Sequence, residues 1–291
     1  MSLASEKTIR GRKGDLHNKP PPSLLVWRNI VIFEFDLALQ GSVVDVFGSD
    51  AKWWFRAGGL SAIVIGISYL LIVALYVSVG GAIPSGAEEK LEFFAEHTTE
   101  WWAIIALSVL TNFLYLPVAL SLYLALKEIN KNAMLVGAGL IGLFTILENT
   151  VSWPSLASLV TLSGDYSTAT DGAQRAAIVA AASYASSLSG STLLAVYAIL
   201  VPALGKLIIG LVMRKGIFSK ITAYLAVVAG IIGIVSVVGP FIMDALRSAV
   251  VISSVLITVW LLLVGYRLYR LGQRDDPHVG SVMNETKTKS A

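Results

Sequence analysis

Between Met134 and Leu162 the chain stays apolar for longer than a bilayer core is thick, yet it carries Glu148 and Asn149 side by side and then Pro154. About 20 apolar residues in helical form cross the hydrocarbon core, and a soluble helix of this length would show a polar face. The run therefore reads as a membrane span with a carboxylic acid inside it. A charge at that depth costs at least ~2.5 kcal/mol on insertion scales, so it normally faces protein or water and has a partner. At helical spacing Thr145, Glu148, Ser152 and Ser155 fall on one face. Glu148 then has two readings: a hydrogen-bonded link between helices, or a group that takes part in moving or converting something. With no Lys, Arg or His read at its level, its carboxyl is expected to face the bundle, to be neutral, and to hydrogen-bond a polar group on another span.

Hydrophobic residues make up 55% of the chain and charged residues 14%, against about 25% charged in a soluble domain. There is no cysteine, which excludes disulfides, thiolate metal sites, iron–sulfur clusters and cysteine nucleophiles. His17, His97 and His278 lie outside the apolar runs. No metal site and no cofactor are expected, and a histidine-dependent intramembrane protease or acyltransferase is disfavoured. The basic residues sit at the ends and in two short loops, a pattern of topology and not of nucleic-acid binding.

In chain order, residues 1–56 read as a cytoplasmic tail, without the apolar core of a cleaved leader, followed over 23–56 by an amphipathic segment lying on the membrane surface. Trp53 and Trp54, flanked by Lys52 and Arg56, mark an interface. Residues 57–270 read as the membrane domain. Its six spans are Ala57–Ile83, Trp101–Leu126, Ala133–Leu162, Ser189–Met213, Ile221–Val238 and Ala245–Tyr269. A short acidic surface helix is expected between the first two, a tight turn over 127–131, a polar loop over 163–171, and a peripheral or tilted helix over 173–188. Residues 271–291 read as a disordered cytoplasmic tail. The fold class is thus an all-α polytopic membrane bundle with six transmembrane helices, an interfacial N-terminal segment and a peripheral helix before span four. Lys127, Lys131, Arg214, Lys215 and Lys220 fall in the even-numbered connections and both tails are basic, so both termini are expected in the cytoplasm of a multi-pass cell-membrane protein.

Several local features have plain readings. Gly137, Gly139 and Gly142 match G-x-G-x-x-G, but no strand precedes them, so the dinucleotide reading lacks its context and helix packing by small residues takes its place. Lys206 stands about two turns from the inner end and is expected to snorkel there. Asp244 and Arg247 are spaced as a surface ion pair worth ~0–1 kcal/mol.

At ~1.5 Å rise per residue, Glu148 stands roughly 22 Å above the inner end of its span. Asn112, Tyr197, Ser236, Ser253 and Ser254 fall near the same level. The candidate intramembrane polar site is therefore Glu148, Asn149, Asn112, Tyr197, Ser152 and Ser253, with Asn112 or Tyr197 expected to approach the carboxyl. No catalytic set is read.

Three stretches carry a family likeness: LYLALKEINK at 122–131, MRKGIFSKITAYL at 213–225 and SVLITVWLLLVG at 254–265. With a polar-interrupted span and a small-residue-rich pair between them, they give a chain that resembles the prokaryotic six-span DUF4386 family over roughly residues 57–270. The resemblance implies a membrane bundle and supplies no activity and no catalytic residues.

Two function classes stand. One is a non-enzymatic accessory, structural or small-molecule-binding membrane protein, whose partners are the lipid bilayer and either other membrane subunits or further copies of itself. The other is a proton- or cation-coupled transporter with Glu148 as the titrating group. An enzyme acting on lipid through Glu148 or Asp244 is the weaker third.

Overall fold

The computed structural model describes residues 51–80 and 83–273. The expected cytoplasmic tail, the surface segment up to residue 50 and the C-terminal tail from 274 lie outside the described residues. Within them the chain is all-helical, and five helical stretches are long and apolar enough to cross a membrane: Ala51–Ser78, Thr98–Thr168, Thr192–Met213, Lys220–Phe241 and Asp244–Gln273.

The first helix, α1 (Ala51–Ser78), begins before the expected span and takes in Lys52, Trp53, Trp54 and Arg56 as its opening turns. A short helix α2 (Ala87–Glu96) follows, then α3 (Thr98–Leu147). The chain does not run straight through α3. Asn130 leaves the helical region at φ −160°, ψ 90°, and its Oδ1 accepts the Ala133 N–H at 3.0 Å. An asparagine that caps the next helix in this way both ends one rod and starts another. The two arms of α3 then fold back on each other: Thr145 donates its hydroxyl to the Asn112 carbonyl at 3.2 Å, and the Tyr115 and Phe144 rings meet edge to face at 5.8 Å.

The return arm passes through a π-helical turn, Glu148–Ser152, into α4 (Trp153–Thr168). This helix extends through most of the expected 163–171 loop. Tyr166 is buried and donates its hydroxyl to Glu88 on α2, and the buried Ser163 turns its hydroxyl back onto the Val160 carbonyl, so the sequence read as polar loop has inward partners. Next come α5 (Gly172–Ser189), capped by Asp171, and α6 (Thr192–Ala195). A second π-helical turn, Val196–Leu200, leads into α7 (Val201–Met213). Then α8 (Lys220–Val238) starts under a Ser219 cap. Two 3-10 turns at Gly239–Phe241 and Asp244–Ser248 precede α9 (Ala249–Gln273).

These rods close into a ring. Helix α1 packs on the first arm of α3, the return arm on α7, α7 on α8, α8 on α9, and α9 returns to α1. Glycines set two of the seams. A Cβ on Gly265 would lie 2.8 Å from the Gly59 carbonyl, and one on Gly59 would lie 2.9 Å from that of Gly265. A Cβ on Gly137 would lie 2.8 Å from Ile209, and one on Gly205 would lie 3.0 Å from the Gly137 carbonyl. With little hydrophobic drive between helices in lipid, such close backbone approach and its dispersion contacts hold the seams. Gly139 and Gly142 face open space, so of the three motif glycines only Gly137 serves packing.

Above one end of the ring a second core joins α2, α4 and α5 to the start of α3. Trp101 is fully buried there, edge-on to Phe94 at 4.8 Å and to Tyr76 at 5.3 Å. Ala182 and Ala185 bring α5 against it. This end carries Glu88, Glu89, Glu92, Glu96 and Glu100; the opposite end carries Arg56, Lys127, Lys131, Arg214, Lys215, Lys220, Arg267 and Arg270, with Glu128 its one carboxylate among the described residues.

Candidate functional site

A proline in a helix lacks the N–H for the i−4 carbonyl and its ring crowds that carbonyl. Pro154 and Pro202 both follow a π-helical turn at the same spacing, Glu148–Ser152 before one and Val196–Leu200 before the other. The residue ahead of each proline donates one residue further back than in an α-helix: Trp153 N–H to the Glu148 carbonyl and Val201 N–H to the Val196 carbonyl. The widened turn leaves carbonyls that side chains then fill. Asn149 Nδ2 donates to the Thr145 carbonyl at 2.9 Å, and Thr150 donates to that of Ile146 at 2.7 Å. The two π-turns pack against each other. Such turns recur at functional sites in other helices.

Glu148 sits at the head of the first π-turn and is 6% exposed. Ser152 donates its hydroxyl to Glu148 Oε1 at 2.6 Å. The expected partner on another span is thus replaced by one on the same helix, the Ser152 that helical spacing places on the Glu148 face. Asn112 is buried one turn away, where its backbone carbonyl, not its amide, takes the Thr145 hydroxyl; its Nδ2 has no hydrogen-bond partner among the described residues, and neither has Asn149 Oδ1. Tyr197 lies half-buried in the facing π-turn. Ser253 stands apart: its hydroxyl goes to the Ala229 carbonyl at 2.9 Å and joins α9 to α8.

Three residues that the sequence reading left out complete the cluster. Tyr69 on α1 donates its hydroxyl to that of Tyr115 at 3.1 Å, and the Glu148 carboxyl lies within electrostatic reach of Tyr69. Lys206 Nζ lies 5.9 Å from the centre of the Tyr115 ring. Lys206 does not snorkel: it is 6% exposed. Gly205 fixes α7 against the return arm, and that contact turns the next side chain into the bundle. Two tyrosines in mid-span, away from the interface where such residues concentrate, were the signal in the sequence. Lys206, Tyr115, Tyr69, Glu148 and Ser152 thus form a polar line through an apolar bundle. It has an amine at one end and a carboxyl at the other, with no ion pair on either among the described residues. Such a line can accept or donate a proton at both ends and can bind polar groups between them.

No curated protein and no solved structure matches the chain at a significant level. One family model, described as a domain of unknown function (DUF4386), matches residues 60–265. That match covers most of the chain, and the protein belongs to the DUF4386 family.

Proposed function

We propose that the protein is a non-enzymatic multi-pass protein of the cell membrane that binds a small polar molecule at the line from Glu148 to Lys206. The observation that carries this reading is the burial of both groups without an ion pair. An intramembrane ionisable residue is by default a functional one, and a helix-linking role for Glu148 gives no reason for a second buried ionisable group, Lys206, against the Tyr115 ring of the same bundle. The protein crosses the bilayer six times, counting the two arms of α3–α4 as separate crossings because the chain folds back at Asn130. Both termini are cytoplasmic, since the basic end of the ring then faces inward. The bilayer is its partner, together with other membrane subunits or a second copy of the chain, and no nucleic acid is involved.

The test is thermal unfolding of the purified chain across a panel of small polar solutes. A ligand at this site raises the unfolding temperature, and Glu148→Gln and Lys206→Met each remove the gain. If no solute raises it and a pulldown from native membrane brings a defined complex, the accessory-subunit reading replaces this one.

A proton-coupled carrier is the second reading. Its specific support is the pair of packed π-turns, which break the regular helix ladder at Glu148 and in the facing helix and give two helices a place to change register. In liposomes, a pH gradient would then drive flux that Glu148→Gln abolishes.

A further inference from the structure

We propose that the inner mouth between α7 and α8 is a binding site for the phosphate group of an anionic glycerophospholipid. A cavity of about 270 Å³ opens there, lined by Leu211, Arg214, Lys215, Lys220 and Tyr224. Its three cations have no hydrogen bond or ion pair among the described residues, apart from the stacking of the Arg214 guanidinium 5.2 Å from the centre of the Tyr224 ring. The chain has no Asp or Glu from Gly172 to Met243, so no acid on these helices neutralises them. Glu128, the one carboxylate at this end among the described residues, belongs to the neighbouring turn of α3. The arginines at the base of α9 are a poorer candidate, because Arg267 already donates to the Ile217 carbonyl and Arg270 to the Tyr266 hydroxyl.

What separates a lipid from a free phosphate is the surface beneath the cavity. Ile221, Tyr224, Val228 and Ile231 form an exposed apolar stripe down α8, with Leu204 and Leu211 exposed along α7 beside it. A second cavity, of about 290 Å³, shares Leu211 and Lys215 with the first and is otherwise mostly apolar, with Ile129, Ala133, Ile208 and Val212 in its wall. A molecule whose phosphate meets Arg214, Lys215 and Lys220 thus has two apolar tracks for its chains. Basic pockets between spans on the inner side suit such headgroups, and arginine matches phosphate oxygens in bidentate geometry.

The experiment is native mass spectrometry of the full chain in detergent with equimolar cardiolipin, phosphatidylglycerol and phosphatidylcholine. A parallel thermal-shift series uses inorganic phosphate and glycerophosphate. The wild type should retain cardiolipin and phosphatidylglycerol over phosphatidylcholine, and neither chain-free phosphate should raise the unfolding temperature. The triple variant Arg214→Gln/Lys215→Gln/Lys220→Gln should bind the anionic lipids about a hundredfold more weakly, at about fivefold per cation. Lys127→Gln/Lys131→Gln, which removes charge from the same end outside the cavity, should change binding less than the roughly fivefold of a single direct cation contact, because solvent and salt screen charges that do not touch the phosphate. Equal retention of phosphatidylcholine, an equal shift with inorganic phosphate, or an equal loss in the Lys127/Lys131 control overturns the proposal. If the triple variant does not fold, the wild-type lipid competition alone decides.

Discussion

Lys206 Nζ lies 5.9 Å from the centre of the Tyr115 ring, inside the bundle and without an ion pair among the described residues. A buried amine with only an aromatic face for company gains ~0.5–2 kcal/mol from that contact and forgoes far more hydration. Lysine at this position is therefore a liability for folding that a function must justify. Lys206→Met, of similar length and apolar, should raise the unfolding free energy by about 1 kcal/mol. Chemical unfolding in mixed micelles measures it. A loss of more than ~1 kcal/mol would mean that the amine has a stabilising partner, and the polar line would have to be redrawn.

The hydrogen bond from Ser152 to Glu148 makes a second prediction. Ser152→Ala removes a 2.6 Å contact to a buried carboxyl and should cost ~1 kcal/mol. Glu148→Gln keeps an acceptor oxygen and should change stability by less than ~0.5 kcal/mol, while Glu148→Ala should lose ~1–2 kcal/mol. In a double-mutant cycle the Ser152→Ala cost should vanish in the Glu148→Ala background. Full additivity would show that the two groups do not interact in the membrane.

The membrane class was legible because apolar length is a crude, strong signal, and Glu148 stood out because one carboxyl in such a run is conspicuous. The cluster around it was less legible for a geometric reason. Depth counted along each helix ranks residues by height and says nothing about which way a side chain points. Ser253 has a suitable height by that count but faces α8. Lys206 starts about eight residues' rise below Glu148 by that count, yet the Gly137–Gly205 seam turns it inward and its long stem reaches Tyr115. The π-turns shift the face of every residue beyond them, which straight helical spacing cannot anticipate. Tyr69 and Tyr115 pair across two helices far apart in sequence, and no local pattern encodes that.

Orientation is open to a direct test. A reporter fused beside Glu92, on the acidic α2, should report outside, and one fused at the C-terminal tail should report inside. Both fusions on one side would overturn the six-crossing count and the inward assignment of the basic end together.

The glycines at 137, 139 and 142 allow the packing account to be tested against the nucleotide-fingerprint pattern they match. A Cβ at Gly137 would fall 2.8 Å from Ile209 and 3.3 Å from the Gly205 carbonyl, whereas at Gly139 and Gly142 it would meet nothing within 4 Å. Gly137→Leu should therefore force the return arm of α3 off α7 and cost ~1–3 kcal/mol. Because the same seam turns Lys206 inward, that variant should also lose any ligand-induced stabilisation. Gly139→Ala and Gly142→Ala remove backbone freedom from the unfolded chain and improve helix propensity, so each should stabilise by up to ~0.5–1 kcal/mol. Thermal unfolding of the three variants side by side reads this order. If all three lose stability alike, the glycines serve something other than the α3–α7 seam, and a ligand cradled by the whole motif would come back into consideration.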